Sequence, residues 1–114
     1  MCSKDKFERN QTMNCKFIPV TEKDGFLDIK DILKKLANEG ITSILIESGP
    51  KLIESFDKQN LIDELYIYTA NDKIIKSNFR TPIDINLNWR LKTTKVLGED
   101  RLQVFEKEAM CLQE

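Results

Sequence analysis

The chain contains no histidine. That absence excludes a Ser-His-Asp or Cys-His catalytic arrangement within it. It also excludes any metal site held by imidazole. Cysteine is scarce: Cys2, Cys15 and Cys111 form an odd set with no CxxC or other zinc spacing. Free thiols in a reducing cytoplasm are the expectation. Long apolar runs are missing as well. Ile44-Leu45-Ile46, for example, soon meets Glu47, far short of a membrane span. No charged-then-apolar leader opens the chain, so nothing points to secretion. Charge of either sign is not in excess. The net charge is −1, and no basic patch suggests phosphate neutralisation along a nucleic acid. Lys34-Lys35, the densest basic pair, reads as part of a solvated helix face. Internal repeats and low-complexity segments are absent too.

What is present indicates a folded unit. Hydrophobic residues make up 40% of the 114 positions and charged residues 32%. That is too apolar for a disordered tail, and the length suits one small domain or a piece of a larger one. Met1 to Asn10 are mostly polar, and residues 1–14 read as a lead or as the end of a preceding element. Cys15 to Val20 reads as a short strand, with Pro19 marking an edge or a strand end. Lys23-Asp24-Gly25 signals a turn. Over Asp28 to Glu39, Ile29, Ile32, Leu33, Leu36 and Ala37 repeat at i, i+3, i+4, i+7 and i+8, the stripe of an amphipathic helix. Asp28 is a fitting N-cap and Gly40 a fitting stop. Ile41 to Ile46 is β-branched and nearly all apolar, which predicts a strand buried on both faces.

Strand, helix and buried strand together predict a βαβ unit with a right-handed crossover. A second helix is expected from Pro50, because proline is favoured in a first helical turn. Leu65 to Ala70 reads as a further strand. Asn71 to Pro82 reads as irregular loop. Asn88 to Leu97 and Arg101 to Lys107 read as a hairpin joined at Gly98-Glu99-Asp100. The expected class is α/β: a βαβ parallel section plus a C-terminal antiparallel hairpin.

The stretch richest in chemistry is Glu47-Ser48-Gly49-Pro50-Lys51. A strand running into a Ser-Gly turn and straight into a helix aims backbone N–H groups outward. With the positive end of the helix dipole, that makes an anion site. Gly49 permits close approach, Ser48 offers a hydroxyl and Lys51 a charge. The plain alternative has Ser48 capping the helix and Gly49 making the turn. Glu47 at the strand tip is either a group that hydrogen-bonds or exchanges a proton with a substrate, or a solvated charge. Asp63-Glu64, Tyr66, Tyr68, Trp89 and Arg80 are weaker candidates. Asp63-Glu64 reads as a solvated turn, the tyrosines as sheet packing, Trp89 as core and Arg80 as a loop arginine able to meet a phosphate.

The run Gly40 to Leu52, followed by Leu61-Ile62-Asp63-Glu64-Leu65-Tyr66-Ile67-Tyr68-Thr69-Ala70, resembles the reductase domain of the RibD family. There, a buried strand ends in Glu-Gly-Gly-Pro or Glu-Ala-Gly-Pro, and a helix, a Leu-Val-Asp-Glu-Leu turn and another strand follow. The likeness covers roughly residues 15 to 107, and residues 15–114 would be the C-terminal portion of such a domain. It implies a dihydrofolate reductase-like fold and NADPH-dependent reduction of a ribosylamino-pyrimidine phosphate, its ribose becoming a ribityl chain. It places Ser48, Gly49, Pro50 and Lys51 at the cofactor's phosphates and Glu47, as the catalytic-site residue, toward the reacting region. No metal is implied for this portion. The chain departs from the pattern at Ser48, at Ala70-Asn71 in place of Ala-Pro, and at Ile74-Ile75-Lys76, where the family carries Leu-Leu-Gly. A complete domain of this kind is longer, so the resemblance implies a homo-oligomer or pairing with a missing N-terminal half. The alternative is a non-catalytic nucleotide-binding or oligomer-forming module derived from that domain.

Overall fold

A computed structural model of the chain describes residues 2–3, 15–71, 82–86 and 88–108. They divide into two units, Met1–Ile46 and Glu47–Glu114.

In the first unit, strand β1 (Cys2–Ser3) pairs in parallel with β2 (Pro19–Val20). The strand expected over Cys15 to Val20 is therefore confined to its last two residues. A tight hairpin follows, β3 (Glu22–Lys23) against β4 (Phe26–Leu27). Asp24 and Gly25 between them have φ of 53° and 78°, the positive pair that a type I′ turn demands. Helix α1 (Ile29–Asn38) stands where the apolar stripe places it. The Asp28 carboxylate accepts from the N–H groups of Lys30 and Asp31, at 3.0 and 3.3 Å. At the other end, the Gly40 N–H donates to the Ala37 carbonyl and the Ile41 N–H to that of Leu36. This double bond pattern is a Schellman stop, and it needs the left-handed φ of 84° that Gly40 supplies. Among the described residues of this unit, Val20 and Ile29 are the buried apolar ones.

Asp31 ties the helix to the strand before the hairpin. It accepts from the Thr21 N–H (2.7 Å), the Thr21 hydroxyl (2.9 Å) and the Lys35 ammonium (2.9 Å). Lys35 also donates to the Pro19 carbonyl at 2.6 Å. Of the basic pair, Lys34 is solvated as expected, whereas Lys35 is half-buried and holds two elements together.

The buried strand predicted over Ile41 to Ile46 does not form. These residues join no sheet, and Ile41, Ile44 and Leu45 are 43%, 45% and 76% exposed. The predicted βαβ unit goes with it. The reason is that an apolar, β-branched run supplies strand propensity but not a ladder, and no neighbouring strand among the described residues supplies the other half.

The second unit opens on helix α2 (Pro50–Lys58) and contains a three-stranded antiparallel sheet. Its strands are β5 (Glu64–Thr69), β6 (Trp89–Leu97) and β7 (Asp100–Lys107), in the order β5-β7-β6. α2 ends in the same stop motif as α1: Asn60 takes φ of 57°, its N–H meets the Asp57 carbonyl, and the Leu61 N–H meets that of Phe56. The β6–β7 loop is the two residues Gly98-Glu99. Gly98 has φ of 65°, the left-handed first position that a type II′ turn requires.

Register explains which residues share a face. Tyr66 lies opposite Val104, Tyr68 opposite Leu102, and Leu65 opposite Phe105. A bulge at Lys92 shifts the β6–β7 pairing. Phe56, Ile83, Trp89, Leu102 and Val104 are buried. Trp89 behaves as the core residue expected. The Lys107 ammonium sits 4.4 Å from the centre of its ring and 3.5 Å from the Asp57 carboxylate, linking β7 to α2. Residues 72–81, with Arg80 and Ile74-Ile75-Lys76, lie outside the described residues, as does Cys111; Cys15 is an exposed free thiol. The architecture is α/β, with antiparallel sheets beyond the short β1–β2 pair.

Candidate functional site

The two helices start differently. Asp28 closes the first turn of α1 with its own carboxylate. α2 has Gly49 at the same position, so no side chain accepts from its first N–H groups. Pro50 at the first helical position has no N–H, and the Leu52 N–H turns back to the Gly49 carbonyl at 3.2 Å. Ser48 does not cap the helix either; its hydroxyl leans toward the Gly49 carbonyl at 3.3 Å. The capping alternative for Ser48 is thereby set aside.

Gly49 has φ of −65° and ψ of 164°, a conformation open to every residue. A Cβ built there would meet nothing within 4 Å. Neither the turn nor packing requires glycine at this position. What a side chain would remove is open space beside the helix start. Ser48, Gly49, Pro50, Lys51 and Leu52 line a shallow, open depression there. Lys51 and Glu47 are exposed, and among the described residues neither side chain has a hydrogen-bond or ion-pair partner. The run Glu47 to Lys51 thus places an uncapped helix start, a hydroxyl and a cation on consecutive residues, with a carboxylate at its leading end. The first three suit an anion at the helix end, and the Glu47 carboxylate opposes one. Among the described residues no three acidic or cysteine side chains converge as metal ligands.

The other candidates serve the sheet. Asp63 gives its carbonyl to the Lys107 N–H, and Glu64 is the first residue of β5 rather than part of a solvated turn. The Glu64 carboxylate accepts from Lys92 at 3.0 Å and from the Tyr66 hydroxyl at 2.9 Å. The Lys92 hydrogen bond, more than that of Tyr66, holds Glu64 below the usual carboxylate range. The same bond from Tyr66 to an anion pushes its phenol up. Arg90 pairs with Glu106, which also lies 3.9 Å from Lys92. This cross-strand network has no local sequence signal, because its members meet only through register and the bulge at Lys92.

The RibD C-terminal domain family matches residues 1–102. The riboflavin biosynthesis protein RibD of Buchnera aphidicola subsp. Baizongia pistaciae is 44% identical over 68 residues, 60% of this chain and 18% of that protein. The RibD of Aquifex aeolicus is 29% identical over 111 residues, 92% of this chain and 31% of that protein. That of Escherichia coli is 34% identical over 76 residues, 67% of this chain and 20% of that protein. The chain thus spans less than a third of the curated relatives it matches. With the family model running through both helices, β5, β6 and the start of β7, this chain belongs to the RibD C-terminal domain family.

Proposed function

We propose that the chain is the cofactor-phosphate portion of an NADPH-dependent reductase acting in riboflavin biosynthesis, within a dihydrofolate reductase-like fold. The substrate is 5-amino-6-(5-phosphoribosylamino)uracil, whose ribose is reduced to a ribityl chain. The observation that carries this reading is the open start of α2 at Gly49-Pro50, uncapped and free of any structural demand for glycine. A phosphate oxygen fits where a capping carboxylate would otherwise sit, and the helix dipole favours its charge. Ser48 donates a hydroxyl hydrogen bond and Lys51 adds attraction. Glu47 hydrogen-bonds a substrate hydroxyl and fixes the sugar's orientation. NADPH supplies the hydride; the residues of this chain bind and orient.

Titration of NADPH into the purified chain, followed by calorimetry, tests the reading. Gly49→Val fills the open space without straining the backbone, because its φ and ψ suit any residue. Saturable binding that weakens by about tenfold or more in Gly49→Val, a loss of about 1.4 kcal/mol or more, supports the site. Glu47→Gln should leave cofactor binding nearly intact and reduce substrate-dependent NADPH oxidation. No binding at millimolar NADPH, or equal binding by Gly49→Val, would overturn it.

The exposed, unladdered run Ile41 to Ile46 favours a second reading, a non-catalytic module that forms a homo-oligomer or pairs with a chain supplying an N-terminal half. Under either reading the protein works in the cytoplasm. No helix among the described residues is long and apolar enough to cross a membrane.

A further inference from the structure

We draw no further inference here: the strongest candidate, the exposed pair Tyr66 and Tyr68 on the face of the three-stranded sheet beside the Glu64–Lys92–Glu106–Arg90 network, carries nothing because nothing in the structure shows what covers it.

Discussion

Asp31 collects three donors on one carboxylate, and its pKa falls from the ordinary 3.8 to about 2. The Thr21 backbone N–H is the largest cause, followed by the Lys35 ammonium and the Thr21 hydroxyl. The sign of the pH effect follows. Between those two values the unfolded chain binds more protons than the folded one, so stability rises with pH there. The contribution is complete above the ordinary value and disappears as pH falls through about 2. Urea midpoints followed by circular dichroism from pH 5 down to about pH 2 should fall more steeply in the parent chain than in Asp31→Asn. Equal slopes would mean that the Thr21–Asp31–Lys35 contacts do not hold in solution. Trp89 gives a second test at this scale. It is the single tryptophan, 7% exposed, with Lys107 over its ring. Trp89→Ala should cost about 3–5 kcal/mol in denaturant melts, and Trp89→Phe clearly less because an aromatic ring remains under Lys107.

Among the elements, α1 and α2 are nearly the same length but differ at their first turns, and substitutions should expose the difference. Asp28→Ala removes an acceptor of two backbone hydrogen bonds and should cost about 1 kcal/mol. Gly49→Ser has no cap bond to lose and should stabilise by a few tenths of a kcal/mol if the new hydroxyl turns back onto the helix. A loss at Gly49→Ser as large as that at Asp28→Ala would show that glycine is structurally required there. Gly98→Ala forces a side chain into the left-handed region and should cost about 1–2 kcal/mol, read as a lowered denaturation midpoint. Both helices, the Asp24-Gly25 turn and the β6–β7 hairpin were legible because their signals are local: a periodic stripe, a cap, a proline at the first turn, a Gly-containing loop. The strands of the β3–β4 hairpin around Asp24-Gly25 leave no pattern in the sequence, since two residues are too few to show alternation. The alternative that Ser48 caps α2 fails by one residue, because the chemistry of a good cap residue does not reveal which backbone position starts the helix.

At the scale of the whole molecule, the apolar run Ile41 to Ile46 makes its own prediction. If it pairs with another copy, sedimentation should show mass rising with concentration, and Leu45→Lys should shift the chain back toward monomer. A monomer at every concentration removes the oligomer-forming reading and leaves the NADPH titration to decide the other. By itself the sequence determined the family, the α/β class, both helices and the C-terminal hairpin. Each of these rests on residues adjacent in the chain or one helical turn apart, where propensity and capping act directly. Only the tertiary structure decided that Ile41 to Ile46 lacks a ladder, that Gly49 rather than Ser48 begins the helix, and that Glu64, Lys92, Arg90 and Glu106 meet across three strands. The physical reason is that a strand exists only by virtue of its neighbour, and an ion pair only by virtue of register. Both depend on residues far away in the chain, which local pattern does not specify.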